Sequence, residues 1–453
     1  MKIRGNRISV LGLGVSGYYA AVLAKEHGAD VFVSELAVNE TILNRKQSLD
    51  GKGIKVELSK HSPEYCFNCD FAVASPGIPV NGGIIAEIEK TGIRVISEIE
   101  FANHFCSSKI IAITGTNGKS TTCELLKMIF DSAGMDVDAG GNLGKPLSQM
   151  VIEKEDREYM IVEVSSFQLE RTFDFNPFVA AILNLEPDHL DRYENEKEYY
   201  SAKARLFGMQ KTGHRIFRSI DEKKIGKSII KGGAKCLRVG DGSTKDSIFE
   251  KNGRIHLLSG EKRETVIRLS ALKLKGKHNI ENIMFASGIS LLCGVDGSLV
   301  EAVLPKFAGL RHRNEFVAEI AGVDYIDDSK ATNVAALKSS LESVSGGVIL
   351  IAGGLWKKDN FAEIGKTIKE KVKKCFLMGK DAQVIKGQLK DVCPAENVKT
   401  LPRAVKKAAE AASEGDTVLL SPGCASFDMF SGYAERGEKF CEEVMKLKKG
   451  GAL

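Results

Sequence analysis

Lys119, Ser120, Glu163 and His189 are the residues of this chain whose types and spacing could do chemistry. Lys119 and Ser120 close the run Gly115-Thr116-Asn117-Gly118-Lys119-Ser120, and Thr121 follows. In such a turn the backbone N–H groups of a glycine-rich loop can face an anion, a lysine can neutralise the outer phosphates of a nucleotide, and a hydroxyl can ligate Mg²⁺. The strict pattern GxxxxGK[ST] is not met, because its first glycine would fall at Ile113; GTNGKS is a shortened variant. A bare glycine turn opening a helix is the plain alternative, and the Lys-Ser-Thr that follows argues against it. Glu163 and His189 each come after an apolar run, Tyr159-Met-Ile-Val and Val179-Ala-Ala-Ile-Leu183. A carboxylate and an imidazole beside a phosphate loop suit a divalent cation bound to ATP. Singly, Glu163 reads as a strand-end acid and His189 as a hydrogen-bonded loop histidine. Together they read as a site.

The elements that must position them follow from the pattern. Ile110–Ile113 is a short apolar strand, and Leu125, Leu126, Met128 and Ile129 give a helical repeat after the loop. In an open α/β sheet ligands sit beyond the carboxyl ends of the strands, so the loop, Glu163 and His189 would face one crevice. Lys203 lies within a helical pattern from Tyr199 to Phe207, where a surface lysine is the ordinary reading. Residues 212–275 are charged and strand-like, and antiparallel strands with turns are expected there. Asn279 and Asn282 stand three apart on one helical face, as adenine-reading amides or as helix caps.

The N-terminal stretch carries a second anion signal. Strand Ile8–Leu11 meets Gly12-Leu-Gly-Val-Ser16-Gly17, then a helix from Tyr18 to His27 and a strand ending at Ser34-Glu35. This is the GxGxxG fingerprint with an acid about twenty positions on, which read alone indicates NAD. Any nucleotide-linked ligand could satisfy it. Strand Phe71–Ala74 ends in Ser75-Pro-Gly77, in isolation a plain turn. Beyond Leu310, strands end in Asp327-Asp328-Ser-Lys330, Ala352-Gly-Gly354 and Ser421-Pro-Gly-Cys-Ala-Ser426, again alternating with helices. A dehydrogenase would leave Gly115–Ser120 unexplained. A molecular switch would explain that loop but not a second nucleotide site or a third domain.

Composition sets the outer limits. A length of 453 residues suggests about three domains. A net charge of +5, from 64 basic and 59 acidic residues, is too balanced to indicate nucleic acid. No apolar leader follows Met1 and no apolar run reaches the roughly 20 residues of a membrane span. The ten scattered cysteines read as reduced thiols of a cytoplasmic protein, and the lone CxxC at Cys66 and Cys69 is weak evidence for zinc.

The motifs taken together resemble those of the Mur ligases of bacterial peptidoglycan synthesis. The resemblance runs through GLGVSG at Gly12, SPGI at Ser75, GTNGKST at Gly115, EVSSFQLE at Glu163 and NLEPDHLDRY at Asn184. It continues through YSAKARLF around Lys203, GKHNIEN at Gly276, GLRHRNE at Gly309, DDSKATN at Asp327 and LSPGCASFD at Leu420. The GTNGKS loop is shared with folylpolyglutamate synthases, whereas SPGI, DSKATN and SPGCASFD point to the D-glutamate-adding branch. The resemblance implies an α/β fold of three domains: a Rossmann-like UDP-sugar-binding domain over 1–106, a P-loop ATPase-like ATP-binding domain over 107–309, and a Rossmann-like amino-acid-binding domain over 310–453.

It also implies roles. UDP-MurNAc-L-Ala would meet Ser16, Glu35, Ser75, Gly77 and Asn142. ATP would meet Gly115 to Thr121, Asn279, Asn282, Arg313 and Asp328, with His312 beside them. Ser120, Glu163, His189 and Lys203 would hold Mg²⁺, the lysine matching Lys203 being carbamylated in the family, and Lys119, His189 and Lys203 would be the catalytic set. D-glutamate would meet Lys330, Thr332, Lys357, Ser426 and Tyr433. The family usually shows a glycine or acid before the lysine near Gly353 and an aspartate after it, and here Lys357 and Lys358 compete for that place. Asn314 stands where an apolar residue is common. A monomer is expected, closing its third domain over its second to keep water from an acyl phosphate.

Overall fold

The computed structural model describes residues 3–78, 83–142, 144–153, 157–189, 192–230, 233–260, 263–270, 272, 277–344, 346–356 and 360–450. The chain forms three α/β domains, each built on its own sheet. By contacts it divides into two compact units, Met1–Phe307 and Ala308–Leu453.

The first sheet is formed by β1 (Arg7–Leu11), β2 (Asp30–Glu35), β3 (Lys55–Leu58), β4 (Phe71–Ala74) and β5 (Arg94–Ser97). Its order is β3-β2-β1-β4-β5, all parallel. Helices α1 (Val15–Glu26), α2 (Glu40–Asp50), α3 (Pro63–Cys66), α4 (Gly83–Lys90) and α5 (Glu98–Asn103) connect or follow the strands. The strands read as nearly unbroken apolar runs because helices cover both faces.

The central domain contains β6 (Lys109–Thr114), α6 (Lys119–Ser132), β7 (Val137–Gly141), α7 (Leu147–Glu153), β8 (Tyr159–Glu163), α8 (Ser166–Leu169), β9 (Val179–Ile182) and α9 (Glu196–Gly208). After these come β10 (His214–Arg218), α10 (Glu222–Ile225), α11 (Lys227–Ile230), β11 (Lys235–Val239), β12 (Asp246–Lys251), β13 (Arg254–Ser259), β14 (Arg263–Arg268), α12 (Lys277–Leu292) and α13 (Gly297–Val303). The nine strands run β14-β13-β12-β11-β10-β9-β6-β8-β7. The first domain's core continues from Ile8 and Phe101 into Ile110, Leu147 and Met160 of this one, so the two domains share a single apolar cluster.

Residues 212–275 depart from the antiparallel expectation. Strands β10 and β11 extend the parallel sheet, and β12 begins parallel to β11; only β12-β13-β14 are antiparallel. The crossover rests on α10 and α11, four residues each, too short to show a helical period. Arg215 also hides the strand: it is 1% exposed, its charge served by the carbonyls of Phe207, Gln210, Ile229 and Ile230.

The second unit contains β15 (Glu315–Ile320), β16 (Val323–Asp327), α14 (Val334–Ser343), β17 (Val348–Gly353), α15 (Gly365–Lys371), β18 (Val372–Met378), α16 (Ala382–Gln388), β19 (Ala395–Asn397), α17 (Leu401–Ala411), β20 (Thr417–Leu420) and α18 (Tyr433–Gly450). Its strands run β15-β16-β20-β17-β18-β19, with only β15 antiparallel. Trp356 packs partly buried against one face of its core.

Candidate active site

The phosphate loop leaves β6 at its buried end and turns into α6 at Gly118, which caps the helix at φ +84°. Only glycine fits easily: the backbone is left-handed, and a Cβ there would fall 2.2 Å from Asn282 Oδ1. Asn282 is therefore packed against the phosphate loop. A second strut is Asn184, whose Oδ1 accepts from Asn117 N–H at 2.8 Å and whose Nδ2 donates to Asn117 O at 3.0 Å. Thr116 Oγ donates to Glu186 O at 3.0 Å. The loop after β9 thus ties down the phosphate loop by side-chain and backbone bonds.

Around that loop stand the expected side chains. Ser120 Oγ donates to Glu163 Oε2 at 2.7 Å, and Asn142 Nδ2 donates to Glu163 Oε1 at 3.1 Å. Glu163 ends β8, and the chain turns at once into α8 through a reciprocal cap between Ser165 and Gln168, which sets the exit angle. Lys119 Nζ donates to Gly115 O at 2.9 Å and Thr116 O at 3.0 Å. Thr121 is buried in the first turn of α6.

Lys203 is not a surface lysine. It is 2% exposed, its Nζ donates to Gly115 O at 3.0 Å, and it lies 4.7 Å above the Tyr199 ring. Burial, then the charge of Lys119, pushes its ammonium well below the ordinary lysine value, against the pull of Asp188 and Glu163. Helix α9 is capped by Asn195, whose side chain accepts from Glu198 N–H at 3.0 Å, a contact contributing about 1 kcal/mol. His189, at φ +53°, sets its ring 5.9 Å from Tyr199 and 4.9 Å from Phe167, with Nε2 3.6 Å from Asp188 Oδ2. It borders the Lys203 pocket through Tyr199.

In the first domain, Ser16, Glu35, Ser75 and Gly77 line one cavity of about 650 Å³. Asn142 does not line it and stands with Glu163 instead. Both Glu35 oxygens accept backbone N–H bonds, from Leu13 at 2.6 Å and Ala37 at 2.7 Å, so this acid braces the glycine turn. His61 lines the same cavity, its Nδ1 2.7 Å from Ser34 Oγ, and burial lowers its pKa against the carboxylates of Glu57 and Glu35. A lone histidine in a loop gave no sequence signal. Asn184 gave none beyond its motif.

In the second unit, Asp328 follows β16, and Ser426 sits in the turn after β20, the strand paired with β16. The Asp328 carboxylate accepts from Ser340 Oγ, from Ser421 Oγ at 3.2 Å and from Asn314 N–H at 3.3 Å. Burial raises its pKa to about 6 against those bonds and the charge of Arg313. Lys330 Nζ lies 5.6 Å from the Tyr433 ring, Ser426 is buried, and Thr332 is half-buried in the turn before α14. Arg313 follows His312 in the loop before β15, with its N–H on Leu310 O at 3.3 Å. Lys357 and Lys358 lie outside the described residues.

Models of three domains match the chain in order: the MurD N-terminal domain over residues 7–84, the Mur ligase middle domain over 113–290, and the Mur ligase glutamate ligase domain over 312–424. A UDP-N-acetylmuramoylalanine--D-glutamate ligase of Chloroherpeton thalassium is 37% identical over 98% of this chain and 99% of its own. The chain belongs to the Mur ligase family. A relative of the same name from Caldicellulosiruptor saccharolyticus is 39% identical over 99% of this chain and 100% of its own. Among solved structures, the MurF ligase from Thermotoga maritima in complex with ADP superimposes with a TM-score of 0.56 at 15% identity, covering 100% of this chain and 97% of that one. At that identity the likeness is one of fold. This Mur ligase has, among its described residues, no helix long and apolar enough to cross a membrane.

Proposed function

We propose that the chain is an ATP-dependent ligase that adds D-glutamate to UDP-N-acetylmuramoyl-L-alanine in the synthesis of peptidoglycan precursors. The observation that carries this reading is 35–39% identity to ligases of that name over 98–100% of the chain.

The residues suit the task. A nucleoside triphosphate brings anionic charge to a loop where Lys119 rests on two of the loop's own carbonyls, ready to exchange them for phosphate oxygens. Arg313 and Asp328, with Asn279 and Asn282, would meet the nucleotide. Ser120, Glu163, His189 and a carbamylated Lys203 would hold Mg²⁺, which supplies charge neutralisation between the phosphates and the incoming carboxylate. Carbamylation needs a neutral amine: the nitrogen bonds to the carbon of CO₂ and gives up a proton, leaving an anionic carbamate. The depressed basicity of Lys203 favours that neutral form.

In the reaction the alanyl carboxylate attacks the γ-phosphorus and ADP leaves. The amine of D-glutamate then attacks the carbonyl of the acyl phosphate, and phosphate departs from the tetrahedral intermediate. His189, beside Tyr199, would take part in positioning or proton handling. The UDP-sugar would occupy the cavity of Ser16, Glu35, Ser75 and Gly77, with Asn142 nearer the reacting end. Lys330, Thr332, Lys357, Ser426 and Tyr433 would receive the two carboxylates of D-glutamate. The enzyme would act as a cytoplasmic monomer, which sedimentation at the mass of one chain would check. Purified protein should release phosphate only when UDP-MurNAc-L-Ala, D-glutamate, ATP and Mg²⁺ are all present. Equal release with L-glutamate, or with a UDP-MurNAc-peptide in place of the alanyl substrate, would overturn the reading.

A further inference from the structure

A second set of metal-type donors stands in the C-terminal unit. His312 Nδ1, Glu315 Oε2, Asp327 Oδ2 and Cys441 Sγ all lie within 4.8 Å of one another. They come from the segment entering β15, the end of β16 and the middle of α18. His312 Nδ1 is 2.6 Å from Asp327 Oδ2 and 3.9 Å from Glu315 Oε2. The Cys441 thiol donates to the same Asp327 oxygen at 3.5 Å. Two protons thus converge on one carboxylate oxygen that is shut off from water, Asp327 being 0% and His312 4% exposed.

Three of the four residues are also held by backbone bonds. Asp327 Oδ1 accepts from Ser329 N–H at 2.8 Å, His312 O accepts from Lys330 N–H at 3.0 Å, and His312 N–H donates to Glu315 at 2.7 Å. Such outer bonds orient metal ligands. Helix α18 comes this close because residue 437 is glycine: a Cβ there would fall 2.1 Å from His312 Nδ1 and 2.7 Å from Asp327 Oδ2.

We propose that His312, Glu315, Asp327 and Cys441 form a binding site for a divalent cation of the zinc class. One thiolate, one imidazole and two carboxylates suit Zn²⁺ or Co²⁺, whereas the sulfur disfavours the hard ions Mg²⁺ and Ca²⁺. Binding releases the thiol proton to solvent and leaves the imidazole neutral, its proton carried on Nε2, so that Sγ and Nδ1 each form a metal–ligand bond. The 2.6 Å nitrogen–oxygen pair opens to the roughly 3.3 Å that two ligands about 2.0 Å from one tetrahedral ion require. The bound ion ties the loop carrying Arg313 to the sheet and to α18. The site does not depend on the ligase reading.

The test is a Co²⁺ titration of reduced, metal-free, full-length protein in excess Mg²⁺. One equivalent should produce thiolate-to-cobalt charge-transfer absorption in the near ultraviolet with tetrahedral visible bands, displaced by Zn²⁺. Cys441→Ser should remove the charge-transfer band, Glu315→Gln should weaken binding about tenfold or more, and Cys66→Ser with Cys69→Ser should leave the band intact. A second measurement needs no variant: Zn²⁺ should protect Cys441 from alkylation, read by peptide mass spectrometry. No band in the unmodified protein, a band that survives Cys441→Ser or vanishes with Cys66 and Cys69, or unprotected Cys441 would overturn the proposal.

Discussion

Lys119 and Lys203 donate to the same oxygen, the carbonyl of Gly115, at 2.9 and 3.0 Å. Burial, and then repulsion from the neighbouring Lys119 ammonium, lowers the basicity of Lys203. A phosphate near Lys119 or a carbamate on Lys203 would relieve that repulsion. The pair therefore makes a site prepared for negative charge.

Lys203→Ala should lower ligase activity by about a hundredfold or more, the scale of losing a group that stabilises transition-state charge. A short carboxylic acid added to the assay should restore part of it by occupying the place of the carbamate. Steady-state rates across acetate and propionate concentrations would show the recovery. Absence of any recovery would count against carbamylation.

Lys119→Ala should abolish phosphate release while leaving affinity for UDP-MurNAc-L-Ala within about twofold, because the UDP-sugar cavity is lined by other residues. Calorimetric titration of the variant with the UDP-sugar separates the two effects. Loss of both together would place the phosphate loop and the sugar in one inseparable site.

His61→Ala should raise KM for the UDP-sugar about tenfold and leave KM for ATP unchanged, since it lines the first cavity and is held there through Ser34. Equal effects on both substrates would show that the change acts through general loss of folding.

Glu98 makes stability depend on pH. It is fully buried, with Ser148 N–H bonded to its Oε1 at 2.6 Å, and burial raises its pKa from 4.5 to about 7. A carboxyl whose pKa is raised on folding binds more protons in the native state. Its stabilising contribution is therefore full below pH 4.5 and is lost as pH rises through about 7. The difference amounts to about 3 kcal/mol. Urea unfolding of the protein and of Glu98→Gln, at pH 5 and pH 8, should show the variant gaining relative stability at the higher pH. A gap that does not change with pH would contradict this assignment.

Arg215→Met should destabilise the central domain by about 3 kcal/mol or more, because it leaves four buried carbonyls without their shared donor. Urea denaturation followed by circular dichroism would measure it, and a change under 1 kcal/mol would argue that water replaces the guanidinium.

Much of the fold was legible because apolar strands and helical repeats are local signals. Strand Phe71–Ala74 lies where its composition places it, and Glu163 is the last residue of its strand. The region 212–275 misled because a buried arginine and one-turn helices carry no period. The neighbours of Asn282 and Asn142 were not legible for another reason: a carboxamide has no sequence pattern that says which group it will pack against.

The order and spacing of GTNGKS, DDSKATN and SPGCASFD determined the family and the kinds of chemistry by themselves, because a strand, a turn and a helix start form one contiguous piece of chain. The tertiary structure alone decided that Lys203, 88 residues from Gly115, is buried against it, that Glu35 braces a turn, and that His61 enters a cavity. Such contacts depend on which strands become neighbours, and sheet order is set by packing across the whole domain rather than by any local run of residues.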